Sequence, residues 1–176
     1  MKALIIVNNG LEECEALLTY DLLYRAGIEV DLVGFTNEIT SSHNVVFKAH
    51  KLLDDTNPDD YDCLILPGGM PGTKNLENDQ RVQDMIDDFV KKDKYIAAIC
   101  AAPSILLHKN LLKDHHFICF PGFEGNNIPA KEKVVQDNKF ITGKGLGAAI
   151  EFSHLIITNL INKEKADEVL KAIQYF

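Results

Sequence analysis

Short, almost wholly apolar runs recur along this chain, each separated from the next by a stretch of helical periodicity. That alternation constrains the fold more than any other feature. Residues 4–7, 28–35, 61–66 and 96–99 are rich in Ile, Val and Leu and too short to be buried helices, so they read as strands. Between them, residues 13–26 form a helical segment that Gly27 ends, glycine being the usual C-terminal cap. Residues 80–92 carry Val82, Met85, Ile86, Phe89 and Val90 on one stripe. Further strands are expected at 45–49, 117–120, 134–136 and 140–142. A short helix follows residue 100 to about 107, a long one runs from Gly145 to about Leu160, and a last one spans 163–173. Strands buried on both faces and alternating with helices mean an α/β fold, with a mostly parallel sheet and helices on both faces. With no linker or repeat in 176 residues, the chain reads as a single domain over 1–176.

Charge narrows the partners. A net charge of −8 opposes binding to phosphate-rich surfaces, so neither a nucleic acid nor an anionic membrane is expected. The apolar start at residues 3–7 is too short for a signal peptide, and no run approaches a membrane span, which makes the cytoplasm the expected location. Cys14, Cys63, Cys100 and Cys119 form no C-x-x-C pair and signal neither a zinc ribbon nor a disulfide framework. His115, His116 and Cys119 are close in sequence, but adjacent histidines on a strand point apart. No metal site is expected there.

The chemistry concentrates at the ends of three strands. Ligand sites in such sheets lie outside the carboxyl ends of strands, which groups the loops after Val7, Leu66 and Ile99. In Ile99-Cys100-Ala101-Ala102-Pro103 a strand meets a sharp turn and then a helix start, with Pro103 in the first turn. The free N–H groups of that helix would favour a Cys100 thiolate and give it the lowest pKa of the four thiols. A small buried hydrophobe is the plainer reading of a lone cysteine. Glu12, Glu13 and Glu15 fall in the first turn of the first helix, where the dipole already accounts for Glu12 and Glu13. Glu15 can point at the same edge as Cys100, where the two would share one proton. Gly68-Gly69 is either an ordinary tight turn or, with Ala101, a source of backbone N–H donors for an oxyanion.

Two other motifs carry less. Gly143-Lys144-Gly145-Leu146-Gly147-Ala148 has the form of a dinucleotide loop, but only a terminal helix follows it, so no cofactor is expected and close helix packing accounts for it. None of the six histidines follows a sheet strand as a base for a cysteine hydrolase.

Taken together, Gly10-Leu11-Glu12-Glu13-Cys14-Glu15, Asp21 with Arg25-Ala26-Gly27, Leu66-Pro67-Gly68-Gly69, Ala98-Ile99-Cys100-Ala101-Ala102-Pro103 and Gly147-Ala148-Ala149-Ile150-Glu151-Phe152 resemble the ThiJ/PfpI superfamily. The resemblance is to the branch holding the Parkinson-disease-associated redox protein and its bacterial relatives, and it covers essentially the whole chain. It implies a flavodoxin-like three-layer sandwich and a homodimer, to which residues 13–26 would contribute through Cys14, Leu17, Leu18 and Leu22. It also implies a nucleophilic Cys100, a protonated Glu15, and Gly69 and Ala101 as backbone donors. The activities it implies are glyoxalase-type conversion of small α-oxoaldehydes, repair of glycated amines, peroxide sensing through a Cys100 sulfinate, or chaperoning. A thiazole-biosynthesis label also attaches to relatives, without support in these residues. A small carbonyl metabolite or peroxide would be the partner.

The chain departs from that pattern in three places. Phe120 stands where some members carry a histidine before the proline matching Pro121, and Ala101 where the peptidase branch has a histidine. Both departures argue against peptide hydrolysis, which needs an acid for its amine leaving group. Leu146 replaces a frequent proline, with an expected effect on loop stiffness alone.

Overall fold

In the computed structural model, residues 1–175 are described, and Phe176, at the end of the range expected for the domain, lies outside them. The chain order is β1 (Lys2–Val7), α1 (Glu13–Arg25), β2 (Glu29–Gly34), β3 (Glu38–Thr40), β4 (Val46–Lys48), β5 (Lys51–Leu52), β6 (Cys63–Leu66) and α2 (Gly72–Asn78). It continues with α3 (Gln80–Lys91), β7 (Tyr95–Ile99), α4 (Pro103–His108), β8 (Val134–Asp137), β9 (Phe140–Gly143), α5 (Ala149–Leu160) and α6 (Lys163–Ala172). Seven strands form one sheet in the order β5-β2-β1-β6-β7-β9-β8, and β3 and β4 form a separate antiparallel hairpin. Among the described residues of the large sheet, only the β8–β9 pair is antiparallel.

The period of two along the strands divides the core into two layers. Ala3, Ile5, Val7, Ile65, Ala97 and Ile99 face α1, α5 and α6, meeting Leu22, Leu23, Phe152, Ile156 and Val169. Leu4, Ile6, Leu64, Leu66, Ile96 and Ala98 face the other way, onto Val82, Ile86 and Phe89 of α3 and Ile105 and Leu106 of α4. This is the α/β flavodoxin-like sandwich. Strand order reverses between β1 and β6, and the loops that leave these two strands meet at their carboxyl ends, where ligand sites of such sheets lie.

Several elements differ from expectation. Residues 117–120 are not a strand. Their backbone groups find other partners: Ile118 N–H donates to Thr142 Oγ1 (3.0 Å), Ala130 N–H to the Phe117 carbonyl (2.7 Å), and Phe120 N–H to the Cys100 carbonyl (2.7 Å). The hairpin partner β3 and helix α2 were not expected, and the helix expected from Gly145 begins as a tight 3-10 turn over Leu146–Ala148 before α5. Of the α1 residues assigned to a dimer surface, Leu22 is fully buried and Leu17 and Leu18 pack against the core, leaving Cys14 exposed. The sheet takes the apolar face of that helix first.

Candidate active site

Three loops meet where the strand order reverses. β7 runs out at Ile99, and Cys100 takes φ +63°, a left-handed conformation that costs about 1–2 kcal/mol in a residue with a Cβ. The strain is held from both sides: Cys100 N–H donates to the Gly143 carbonyl (2.9 Å) and its own carbonyl accepts from Phe120 N–H. The turn throws the side chain off the line of the strand, and it remains half-buried. The Ala101 and Gly69 N–H groups lie beside its sulfur and favour the thiolate.

The glycine pair after β6 makes room for this. A Cβ on Gly68 would fall 2.6 Å from Cys100 Cβ and 2.8 Å from Glu15 Oε2. Gly69 has φ +88°, and a Cβ there would run into the Leu11–Glu12 backbone, 2.6 Å from the Leu11 carbonyl carbon. The loop is thus seated directly on the start of α1, with Glu12 N–H donating to the Gly68 carbonyl (2.9 Å).

Glu15 comes up from α1 into this junction, 1% exposed. Its Oε2 accepts from Gly68 N–H at 2.8 Å. Oε1 is buried without a well-formed partner among the described residues, yet the carboxyl reaches the Cys100 thiol. Burial pushes the Glu15 carboxyl up to about 7, against the pull of the Gly68 amide and of Cys100.

The thiol departs from its expected low pKa. Burial first, and then the Glu15 carboxyl, push Cys100 up to about 12, while the Ala101 and Gly69 amides pull the other way. Helix α4 is only two turns long and starts beyond Ala102, so its dipole does not overcome burial beside a carboxyl. Nor does Cys100 stand apart from the other thiols in direction: burial raises Cys14, Cys63 and Cys119 too, Cys119 to about 11. What distinguishes Cys100 is its neighbour. Because Cys100 and Glu15 touch, they titrate as a pair that holds one proton across the neutral and mildly alkaline range. In that state the proton sits on oxygen or on sulfur, and the amides on each group help to choose.

The four residues singled out from the sequence, Glu15, Gly69, Cys100 and Ala101, are therefore brought to one point. Gly68 was read only as half of a glycine pair, yet it alone of the two lies against both reacting side chains, so that a Cβ on it would strike Cys100 and Glu15 together. Four of the six histidines are engaged elsewhere. His43 bonds Glu13 (3.2 Å), His154 bonds Asp167 (2.7 Å), His108 bonds Glu77, and His115 faces Asp137 (3.4 Å). Glu12, Glu13 and His43 offer ligand-type atoms within 4.8 Å of one another. Their mutual pairing at a helix start accounts for the grouping, and His115, His116 and Cys119 form no such group among the described residues.

The DJ-1/PfpI family model matches residues 1–159. The chain belongs to the DJ-1/PfpI family. It is 30% identical over 167 residues to a Caenorhabditis elegans protein named glutathione-independent glyoxalase DJR-1.2, covering 92% of this chain and 89% of that one. Protein DJ-1 homolog B of Arabidopsis thaliana is 32% identical over 175 residues, 96% of this chain, which spans 40% of that longer protein. A solved structure of Toxoplasma gondii DJ-1 in an oxidised form superposes with a TM-score of 0.94 at 33% identity, covering 98% of this chain and 97% of the other. Among the described residues of this DJ-1/PfpI chain, no helix is long and apolar enough to cross a membrane.

Proposed function

We propose that the protein is a cysteine-dependent enzyme that converts small α-oxoaldehydes into 2-hydroxy acids without a cofactor. The observation that carries this reading is the contact between Glu15 and Cys100, a nucleophile and a buried carboxyl sharing one proton under two backbone donors. The sulfur adds to the aldehyde carbon, forming a C–S bond, while the carbonyl oxygen takes negative charge opposite the Gly69 and Ala101 amides and then the Glu15 proton. Glu15, now carboxylate, removes the hydrogen of that carbon as a proton, and the adjacent ketone carbon receives one. The result is a thioester of the hydroxy acid, which water hydrolyses to release the thiol. One carbon is oxidised and its neighbour reduced, so no external oxidant or reductant is needed. A carboxyl that titrates near 7 suits both halves of the proton shuttle. The worm relative, named a glutathione-independent glyoxalase, supports the same chemistry.

Nuclear magnetic resonance of methylglyoxal turnover tests it. Lactate should form with the wild-type chain and not with Cys100→Ser; lactate formation that survives this change removes the cysteine from the reaction. A second reading, peroxide sensing, is favoured by the oxidised Toxoplasma relative and by amides placed to bind oxygens added to the sulfur. Mild peroxide that converts Cys100 alone to the sulfinate, in a chain that turns over no oxoaldehyde, would put this reading first. We further propose a cytoplasmic homodimer, using the uncovered parts of the partly buried Leu17 and Leu18 of α1; a monomer mass by light scattering at micromolar concentration would exclude the dimer.

A further inference from the structure

Beside the sulfur lies a cavity of about 490 Å³ that the shared proton and the amide donors leave unexplained. Its walls are Phe120, Pro121, Leu146 and the backbone of Gly145–Ala148, with Lys133 and Lys144 at the side. It adjoins the reacting atom: a Cβ on Gly145 would lie 3.8 Å from Cys100 Sγ and 3.4 Å from the Phe120 ring. Phe120 N–H is bonded to the Cys100 carbonyl, so the wall is fixed to the elbow itself. Phe120 and Leu146 are each nearly half exposed, at 48% and 47%, which leaves large apolar faces uncovered next to a nucleophile. Lys133 is held by Glu151 at 2.7 Å, so its charge is already balanced.

We infer that Phe120 and Leu146 form an acyl pocket that selects α-oxoaldehydes bearing an aromatic or branched apolar group over methylglyoxal. This deepens the function proposed above and rests on it. Methylglyoxal presents one methyl group to a space that accepts a six-carbon ring, so most of the apolar wall would stay wet. A ring seated between Phe120 and Leu146 removes that surface from water and stacks on the phenyl face. The two departures noted in the sequence thus act together. Leu146 does more than stiffen a loop: it supplies a wall of the cavity, and Phe120 supplies an apolar wall where a histidine would have been polar. The reaction is unchanged: phenylglyoxal and water give mandelate, as methylglyoxal and water give lactate.

Phenylglyoxal and methylglyoxal are compared as substrates of the wild-type chain, with mandelate and lactate measured directly. The kcat/KM ratio should favour phenylglyoxal by about 10–100-fold, and that ratio should fall about tenfold or more in Phe120→Ala and in Leu146→Ala. Cys100-dependent turnover with no preference for phenylglyoxal overturns the pocket and leaves the proposed function standing. If neither compound is turned over, the proposed function falls, and titration of Cys100→Ser with mandelate and lactate decides the pocket. Tighter mandelate binding that Phe120→Ala abolishes supports it, and equal binding overturns it.

Discussion

Two glutamates, Glu13 and Glu15, leave the same first turn of α1 and end in opposite electrostatic states. Burial pushes Glu13 up, but its own backbone N–H, the Ser41 hydroxyl and His43 outweigh that, so its carboxyl titrates below the ordinary range. Glu15 receives one amide and a thiol, and burial wins, carrying it to about 7. The helix dipole acts on both and does not separate them. Facing direction does. Glu13 turns toward the loop that carries Ser41 and His43, where donors are plentiful, while Glu15 turns over the sheet edge into an apolar junction with Cys100. A site is made here by withholding partners from one of two like groups.

The largest test of this contrast is catalytic. Glu15→Gln should lower turnover of an oxoaldehyde by about 10²–10⁴-fold, the usual worth of a positioned acid–base group, while Glu13→Gln stays within a few-fold of wild type. Steady-state kinetics on both variants checks it, and equal losses would erase the distinction.

Stability gives the next largest effect, with opposite signs. A raised carboxyl favours folding below its ordinary 4.5, and the advantage is lost as pH rises through about 7. The difference corresponds to about 3 kcal/mol, so Glu15→Gln should gain up to about that much over wild type at pH 8 and little at pH 4. Glu13 works the other way: its contribution is present above the ordinary value and lost as pH falls through its lowered one. Glu13→Gln should therefore be less stable than wild type at pH 8. Urea titrations at the two pH values read both signs.

Gly68→Ala should cost about 1–3 kcal/mol by overpacking, and should part Glu15 from Cys100 as the added methyl is accommodated. Thermal melting measures the first, and the pH dependence of Cys100 alkylation the second. The smallest effect belongs to His43→Gln, which removes one of several partners of Glu13 and should leave the Cys100 alkylation profile unshifted.

The strands that place the site could be read from the chain because each is a run of apolar residues, which the burial of β1, β6 and β7 on both faces requires. Cys100 was legible for the same reason, as a reactive group immediately beyond such a run, and Glu15 because it opens the helix that follows another. The hairpin strand β3 was not, since Glu38–Thr40 has one buried side chain and no pattern to detect. Residues 117–120 misled because Phe117, Ile118 and Cys119 are buried in fact, while the backbone bonds of the segment go to Thr142 and Cys100 rather than to a ladder. Composition reports burial and is silent on which carbonyl a given N–H will find. The thiol pKa was misjudged on similar grounds: helix-end donors can be read in sequence order, whereas the depth at which a carboxyl and a thiol are enclosed together cannot.

The seating of Gly69 on Leu11 and Glu12 has a consequence for motion. Gly72 is pressed equally against Leu11, and Gly10 against Pro71, so the loops after β1 and β6 interlock like the two halves of a clasp. Neither can swing without carrying the other. The amide of Glu12, bonded across the clasp to Gly68, and that of Thr73, bonded to Gly69, should then exchange with solvent deuterium at one common rate. The clasp closes that side of the elbow, so whatever enters to meet the sulfur comes past the other, between the exposed faces of Phe120 and Leu146.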